Sequence, residues 1–454
     1  MMESTLAQAA NSMHGRLQGT DLKFRGVSTD TRTLSEGELF FALQGPNFDG
    51  AAFVEAAAKR QASGAVVPVP VDADIPVIVV DDTLLALGLL AADWRQQMSA
   101  TVIGITGSNG KTTLKEMLAS CLALSAETLP TQGNLNNEIG VPLMLARLGR
   151  EHRYAVIEIG ANHAGEIARM TALVQPKIVA ITNAAPAHLE GFGSVEGVAR
   201  AKGEILTGEV PPEIVILNAD DEFFPYWCSL IPDIEAISFG LAPQADFSAS
   251  DVYATEYGSA FTLHTPEGEL QIALPLFGAH NVLHACAAAA IASSLNIDEQ
   301  QIKKGLETVA PVAGRLQSVH SASGDTLYDD SYNANPVSVV AAAKFLAAHP
   351  GDSWLVLGDM AELGDDAAEL HASVGSDLKN VGITHLVATG ELSRHTVAAF
   401  GDGGLWFASQ DELIEKLQAS LEGNSNVLVK GSRSTGMERV VAALQNGSDK
   451  VRGA

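Results

Sequence analysis

The sequence predicts an α/β protein built on parallel sheets, and three observations support this. Short, nearly continuous apolar runs recur along the chain and end in Gly, Asn or Asp. A segment with the apolar spacing of a helix follows most of these runs, as is typical of parallel strands covered on both faces. The length of 454 residues and the hydrophobic fraction of 46% suffice for about three domains with ordinary cores.

The apolar runs fall into two groups, which we interpret as two series of strands. The first group comprises 102–106, 155–159, 177–182 and 214–217, and the second comprises 354–357, 385–388 and 427–429. A helix is expected over 195–206. The Ala-rich stretch 282–294 is expected to be a buried helix, because it is too short to cross a bilayer and contains His284.

Two connecting segments divide the chain. Residues 94–101 link an N-terminal unit to the first strand series, and the Pro/Gly stretch 310–314 precedes the second. We therefore predict three domains, 1–97, 98–314 and 315–454. We expect them to hinge near residues 98 and 314 and to be open without ligands.

Composition excludes several classes of function. The net charge of −26 argues against a nucleic-acid or anionic-membrane surface, although a local phosphate site needs only backbone amides and one lysine. The N-terminus lacks a basic segment followed by an apolar run, and no run of 18 uncharged apolar residues occurs. The three cysteines lack CxxC spacing, which argues against zinc or a disulfide framework. We expect a cytoplasmic protein.

A phosphate-binding loop is predicted where the first strand meets a helix, at Gly107-Ser108-Asn109-Gly110-Lys111-Thr112-Thr113. The glycines allow backbone amides to turn toward phosphate oxygens, Lys111 can reach the terminal phosphates, and Thr112 can bind Mg²⁺. The loop is a variant, with Gly104 and Gly107 in place of the usual first glycine. A structural turn with a chance lysine is the alternative, and the loop alone does not distinguish kinases, motors, switches and ligases.

Three further candidates follow the loop. Glu158 ends an apolar run, where a carboxylate can hold the Mg²⁺ that bridges nucleotide phosphates or can pair with a basic residue. His188 follows the next strand, and an isolated loop histidine is more often an ordinary surface residue. Lys202 lies on a predicted helix, where a lysine is usually solvated.

Taken together, the motifs resemble the Mur ligase family of ATP-dependent, amide-forming enzymes of peptidoglycan synthesis. The resemblance extends over nearly the whole chain. Its central motifs are GITGSNGKTT, GNLNNEIGVP, EIGANHAGEI, TNAAPAHLEGFG, AKGEIL, NADD and HNVLHACAA, and its later motifs are GRL, DDSYNANPVS, LGDMAELG and KGSRSTGME. Within the family, DSYNANP and GDMAELG resemble the members that add D-alanyl-D-alanine.

The resemblance implies a set of ligands and roles. Lys202 would be carbamylated by CO₂ and would bind a second Mg²⁺ together with His188, while Thr112 and Glu158 would place the first. Asn281 would lie against the adenine of ATP, and Arg315 and Asp330 would reach the nucleotide from the third domain. Substrate contacts are expected from Asn333, Asn335, Asn134 and Asn137.

The first domain resembles a UDP-binding domain through GVSTDTRTLSEGELFFALQGPNFDGAAF. The resemblance implies Ser28, Asp30, Arg32, Asn47 and Asp49 as candidate contacts. The alternative for Asp30 and Arg32 is a purely structural turn, because Asp commonly bonds to the backbone two residues further on.

The function implied is ATP-dependent joining of D-alanyl-D-alanine to UDP-N-acetylmuramoyl-tripeptide through an acyl phosphate, by a monomer, for cell-wall biogenesis, cell shape and division. Lys111, Glu158, His188 and Lys202 would be the catalytic residues. Two alternatives stay open at this point. A folylpolyglutamate synthase would begin closer to its phosphate loop. A nucleotide-gated regulatory protein would hydrolyse ATP without needing a dipeptide.

Overall fold

The computed structural model of the chain describes residues 1–45 and 48–447, so the candidate Asn47 lies outside the described residues. The predicted three-domain α/β fold is confirmed. Within the described residues no helix is long and apolar enough to cross a membrane.

The N-terminal part is a five-stranded sheet with two small two-stranded sheets. The large sheet has the order β2-β9-β8-β5-β4, in which β2 is antiparallel to β9 and the other pairs are parallel. The elements are β1 Glu3–Thr5, α1 Leu6–Ser12, β2 Arg16–Gln18, β3 Lys23–Arg25, β4 Val27–Ser28, β5 Leu39–Phe41, β6 Gln44–Gly45, β7 Phe48–Asp49, α2 Val54–Lys59, β8 Gly64–Val67, β9 Val77–Val79 and α3 Thr83–Gln96.

The central part contains a six-stranded parallel sheet in the order β11-β12-β10-β13-β14-β15 and a three-stranded antiparallel sheet, β16-β17-β18. Its strands are β10 Thr101–Thr106, β11 Thr128–Pro130, β12 Tyr154–Glu158, β13 Ile178–Ile181, β14 Ile214–Asn218, β15 Ile237–Phe239, β16 Ser248–Thr255, β17 Gly258–Thr265 and β18 Gly268–Leu274. Its helices are α4 Lys111–Ala123, α5 Gly140–Ala146, α6 Glu166–Val174, α7 Leu189–Phe192, α8 Val195–Gly203, α9 Phe224–Ser229, α10 Ala279–Ser294 and α11 Glu299–Glu307.

The C-terminal part is a six-stranded sheet in the order β19-β20-β24-β21-β22-β23, parallel except for the pair β19 and β20. Its strands are β19 Gln317–Val319, β20 Thr326–Asp330, β21 Asp352–Leu357, β22 His385–Thr389, β23 Gly404–Phe407 and β24 Ser425–Lys430. Its helices are α12 Pro336–Ala347, α13 Ala367–Val381, α14 Ser393–Phe400, α15 Gln410–Ser420 and α16 Glu438–Asn446.

Three details of the prediction were wrong. The antiparallel sheet β16-β17-β18 was not expected. The predicted linker begins too early, because Trp94 belongs to α3 and its indole N–H donates to the Leu148 carbonyl oxygen at 2.8 Å. The helix predicted over 195–206 ends at Gly203 and continues as a 3₁₀ turn, Glu204–Leu206.

The hydrophobic cores show how the parts are joined. One continuous core runs from Leu6 and Leu87 of the N-terminal part to Val102 and Met144 of the central part. This continuity argues against the hinge expected near residue 98, because rotation there would expose packed apolar surface. The C-terminal cores are separate, and among residues 1–45 and 48–447 the only central residue buried in them is Phe277.

Candidate active site

The phosphate loop lies between β10 and α4, in the middle of the parallel sheet where strand order reverses. Ligands of such sheets bind at this edge. Two positions require glycine, because Gly107 has φ +143° and Gly110 has φ +80°. A Cβ atom would lie 1.9 Å from the Thr182 hydroxyl at Gly107 and 2.0 Å from Nε2 of His284 at Gly110. The loop is therefore packed from both sides by side chains of other segments.

Lys111 is folded back onto the loop. Its ammonium donates to the carbonyl oxygens of Gly107 at 2.6 Å and Ser108 at 3.3 Å. Burial lowers the pKa of Lys111, and the negative charge of Glu158 opposes this effect. Carbonyl oxygens are weak partners for a cation, so phosphate oxygens can replace them at this position.

The loop after β13 anchors the phosphate loop. The Thr182 hydroxyl donates to the Asn109 carbonyl oxygen at 2.6 Å, and the Asn109 amide donates to the side-chain oxygen of Asn183 at 3.0 Å. The Ala185 amide donates to the Ser108 hydroxyl at 3.0 Å. These bonds hold the loop in a fixed shape before a ligand binds.

Glu158 ends β12, which pairs with β10 so that Glu158 lies beside Ile105. Its carboxylate accepts hydrogen bonds from the Thr112 hydroxyl at 2.9 Å and from the Asn136 side-chain amide at 2.8 Å. Its backbone amide donates to the Thr131 hydroxyl at 2.9 Å. The pair of a carboxylate and a hydroxyl supplies the hard oxygen ligands that Mg²⁺ prefers.

Lys202 lies on α8 and is only 2% exposed. Within the described residues its ammonium has no hydrogen-bond acceptor, and it lies 5.2 Å from the centroid of the Phe192 ring. Its pKa is lowered to about 7, mainly by burial and also by the charge of the nearby Lys111, while Glu204 and Glu166 oppose the shift. A large fraction of this side chain is therefore a neutral amine near neutral pH.

His188 lies directly before α7 with a left-handed backbone, φ +54°. Its Nδ1 lies 2.5 Å from a carboxylate oxygen of Glu362 in the C-terminal part, although not in line for a hydrogen bond. Burial lowers the pKa of His188, Glu362 raises it, and Lys111 and Lys202 lower it. Because the pKa of His188 is lowered, the ring is mainly neutral near neutral pH, and the contact is a close approach of a carboxylate to an imidazole nitrogen.

Two residues of the C-terminal part reach the phosphate loop. The Arg315 guanidinium donates to the Thr112 hydroxyl at 3.1 Å and lies 4.4 Å from the centroid of the Tyr332 ring. The Asn335 side-chain amide donates to the side-chain oxygen of Asn109 at 2.7 Å. The site is thus assembled across both parts.

Residues on α10 close the loop from the other side. The Asn281 side chain is buried and donates to the Phe277 carbonyl oxygen at 2.7 Å. The pKa of His284 is lowered to about 3, mainly by burial and also by His280 and Arg315. A neutral His284 therefore packs against Gly110.

A cavity of about 1020 Å³ joins these groups. The predicted site residues that line it are Ser108, Asn109, Gly110, Lys111, Thr112, Thr113, Asn137, Glu158, His188, Asn281, Arg315, Asp330, Asn333 and Asn335. Leu84, at the start of α3, lines it from the N-terminal part. The cavity is thus bordered by residues of all three parts of the chain.

Other predicted residues lie outside the lining of this cavity: Gly107, Lys202, Asn134, Ser28, Asp30, Arg32 and Asp49. Gly107 and Lys202 are nevertheless next to it, since Gly107 bonds Lys111 and Lys202 influences the pKa of His188. The side chains of Asp30 and Arg32 bind each other at 2.7 Å, and the hydrogen bonds from Arg32 lower the pKa of Asp30 to about 2. The Arg32 backbone amide also donates to the Asp30 carboxylate at 2.9 Å, which forms a turn, and contact of these residues with UDP stays a prediction.

Three residues at the site were not predicted from the sequence, namely Lys430, Asn136 and Glu362, and His284 was predicted only as part of a buried helix. Lys430 ends β24 and donates to the Asp330 carboxylate at 2.7 Å. Asn136 bonds Glu158, His284 packs on Gly110, and Glu362 contacts His188. Lys430, Asn136 and Glu362 all lie in motifs that carry the family resemblance. Lys430 also follows directly after the predicted strand 427–429, and this position was the signal that could have identified it.

Comparison with known proteins identifies the family of this chain. The chain matches three family descriptions: "Mur ligase family, catalytic domain" over residues 23–95, "Mur ligase middle domain" over 105–292, and "Mur ligase, glutamate ligase domain" over 314–433. The chain therefore belongs to the Mur ligase family.

Relatives of full length share one name. The UDP-N-acetylmuramoyl-tripeptide–D-alanyl-D-alanine ligase of Escherichia coli (strain K12) is 45% identical, covering 98% of this chain and 99% of that protein. The ligase of the same name from Haemophilus influenzae is 39% identical, covering 100% of both. A crystal structure of MurF from Acinetobacter baumannii has a TM-score of 0.92 and 38% identity, covering 98% of this chain and 100% of that chain. This chain is an ATP-dependent ligase of peptidoglycan precursor synthesis.

Proposed function

We propose that the chain joins D-alanyl-D-alanine to UDP-N-acetylmuramoyl-tripeptide with ATP, as a cytoplasmic monomer. The observation that carries this proposal is the cavity in which a phosphate loop, an acidic strand end and residues of the C-terminal part meet. The names of the relatives that match along the whole chain supply the substrates.

Each domain has a proposed role. Residues 1–97 would bind the UDP moiety, and residues 98–314 would bind ATP. Residues 315–454 would bind D-alanyl-D-alanine and reach the nucleotide. Support for the last role comes from Arg315 and Asn335, whose side chains bond Thr112 and Asn109 of the phosphate loop. Asp330 is held by Lys430 at the carboxyl end of β20, where it can face a ribose.

Lys111 and the loop amides would hold the β- and γ-phosphates of ATP. The first turn of α4 adds unpaired amides and a partial positive charge. The carbonyl partners of Lys111 are poor substitutes for phosphate, so a nucleotide can take over its ammonium. Asn281, which lines the cavity from α10, would contact the base.

The donor set fits two magnesium ions. Thr112 and Glu158, 2.9 Å apart, would hold one, and His188 with carbamylated Lys202 would hold the other. Within the described residues no group of three or more His, Cys, Asp and Glu side chains could hold a metal. Carbamate and phosphate oxygens would therefore complete the sites. Magnesium ions neutralise charge on the transferred phosphoryl group.

Carbamylation of Lys202 is chemically consistent with its surroundings. The lone pair of the neutral amine attacks the carbon of CO₂, a C–N bond forms, and one proton leaves to solvent. The product is an anion. A buried amine with a pKa lowered to about 7 supplies the neutral form this step needs.

The reaction itself would proceed in two steps. The carboxylate of the tripeptide attacks the γ-phosphorus of ATP, giving an acyl phosphate and ADP. The neutral amine of D-alanyl-D-alanine then attacks the acyl carbon, orthophosphate leaves, and the amine proton passes to solvent. Positioning and charge stabilisation account for most of the rate of phosphoryl transfer, so the loop and Lys111 should dominate.

Phosphate release tests the proposal. We expect release with ATP, UDP-N-acetylmuramoyl-tripeptide and D-alanyl-D-alanine together, and a loss of most of it when either acceptor is omitted. With ¹⁸O in the tripeptide carboxylate, one labelled oxygen should appear in orthophosphate. Release without the dipeptide would favour a regulatory ATPase, and activity with a folate and glutamate would favour the folylpolyglutamate synthase alternative.

A further inference from the structure

One contact between the central and C-terminal parts has no role in the reaction described above. Glu362 lies in the segment after β21 and approaches the loop that holds His188. Its carboxylate oxygen lies 2.5 Å from Nδ1 of His188. Its carbonyl oxygen accepts from the Glu190 amide at 3.4 Å. Both the side chain and the backbone of Glu362 therefore contact the His188 loop.

Both residues have an unusual backbone. His188 has φ +54° and Glu362 has φ +61°, in the left-handed region that residues other than glycine rarely adopt. Such conformations persist where the surrounding structure fixes them, and they are concentrated at functional sites. The two left-handed residues lie on either side of one interface, so the fold directs each side chain toward the other.

The geometry distinguishes the two nitrogens of the imidazole. Nδ1 is shielded from solvent and faces Glu362, while the ring meets Phe192 edge-on with 6.5 Å between centroids. Nε2 has no hydrogen bond to the described residues and is the nitrogen available to a metal. A carboxylate beside the other ring nitrogen of a metal-binding histidine usually fixes the tautomer and orientation of the ring. At His188 the carboxylate of Glu362 is close enough to do this, although the two atoms are not aligned as a hydrogen bond.

We infer that Glu362 is a positioning residue for His188. Glu362 belongs to the C-terminal part, and its carboxylate lies beside Nδ1 of His188 in the central part. His188 is therefore oriented for metal binding only when the two parts are docked. This inference rests on the proposed role of His188 as a metal ligand. It adds a link between domain docking and metal binding that does not involve the nucleotide.

The positioning role of Glu362 is tested by measuring Mn²⁺ binding to the full chain with electron paramagnetic resonance, in the presence of the non-hydrolysable ATP analogue AMPPCP. Glu362→Ala should weaken Mn²⁺ binding about tenfold, the lower end of the effect of removing such a carboxylate. Glu362→Gln keeps an oxygen acceptor and should restore part of the loss. The matched control is Glu391→Ala, whose exposed carboxylate pairs with Arg394 inside the C-terminal part and should leave binding unchanged.

A double-mutant cycle separates the possible outcomes. In the His188→Ala background, Glu362→Ala should add no further loss of Mn²⁺ affinity. A further loss would show that Glu362 acts on the metal directly, which overturns the positioning role. Weaker binding in His188→Ala but not in Glu362→Ala would overturn this inference alone. Unchanged binding in His188→Ala would overturn the proposed metal role of His188 as well.

Discussion

Lys202 is a buried amine without a hydrogen-bond acceptor for its ammonium among the described residues. A buried charge is costly unless it is paired, so the side chain favours its neutral form and a pKa of about 7. A surface lysine on the same helix would keep its proton and would not react with CO₂. Burial thus turns a residue usually dismissed as solvated into a candidate for carbamylation.

If Lys202 holds the second metal as proposed, replacing it by Ala should reduce turnover by roughly a hundredfold or more, because that metal would no longer stabilise the transferred phosphoryl group. Short carboxylic acids such as acetate should restore part of the rate by occupying the place of the carbamate. Steady-state phosphate release with and without acetate measures this. Arg200→Ala on the exposed face of α8 is the control, and full activity of unrescued Lys202→Ala would remove Lys202 from the mechanism.

Replacing Lys202 by Met should change how stability depends on pH. An unfolded lysine has a pKa of about 10.4, and the folded value is about 7. Between these values the unfolded chain binds more protons, so wild-type stability rises with pH in this window. Met lacks this effect. Lys202→Met should therefore be the more stable protein at pH 6, with the difference shrinking above pH 7 by up to about 1.4 kcal/mol per pH unit.

Urea unfolding of both proteins in CO₂-free buffers at pH 6, 7.5 and 9 measures this difference. Carbon dioxide must be excluded because carbamylation would change the charge of Lys202. Parallel stability curves for the two proteins across this range would show that the pKa of Lys202 is not lowered.

Among the secondary-structure elements, the N-terminus of α12 and the phosphate loop share one side chain, that of Asn335. Asn335 caps α12 by accepting from the Ser338 amide at 2.9 Å, and its amide group donates to Asn109 at 2.7 Å. One residue therefore begins a helix of the C-terminal part and holds the nucleotide loop of the central part.

Two substitutions separate these roles. Asn335→Asp keeps the cap, because a carboxylate also accepts from the helix amides, but it loses the donor to Asn109. It should leave unfolding free energy nearly unchanged and raise the KM for ATP several-fold. Asn335→Ala loses both bonds and should also destabilise the protein by about 1 kcal/mol. Urea unfolding and ATP titration measure the two effects, and an unchanged KM in both variants would contradict the role at the loop.

The sequence predicted the elements whose pattern is local. Strands β10, β12, β13 and β14 are nearly continuous apolar runs, and each was predicted to within two residues. The antiparallel sheet β16-β17-β18 was missed although buried and exposed residues alternate along β18, and its first strand, β16, is exposed over its second half and carries polar residues. The exposed half of β16 has no alternation of apolar and polar residues that would distinguish it from a loop.

The candidate site likewise contains residues that could be predicted from local sequence and contacts that could not. Lys111, Thr112 and Glu158 stand at ends of strands and helices, so sheet topology brings them together. The contacts of Arg315 with Thr112 and of Asn335 with Asn109 join residues more than 200 positions apart. They depend on how domains dock, which the sequence suggested only through the family resemblance. Glu362 was missed for this reason, since its role depends on a partner in another domain.

At the scale of the whole molecule, the three parts are not equally independent. The N-terminal and central parts share one apolar core, and Trp94 and Leu148 are bonded across their junction. The C-terminal part meets the central part mainly through polar contacts around the cavity, such as those of Arg315, Asn335 and Glu362. Polar contacts of this kind can be broken and remade at lower cost than a continuous core.

We therefore expect ligands to move the C-terminal part against the other two as a unit. Two fluorophore pairs test this in a Cys228→Ser background, since Cys121 and Cys286 are buried. One pair uses Glu36→Cys and Glu209→Cys, and the other uses Glu209→Cys and Glu415→Cys, all at exposed positions. An ATP analogue with UDP-tripeptide should change energy transfer in the second pair only. A change confined to the first pair would place the hinge near residue 98 and would mean that the shared core separates when substrates bind.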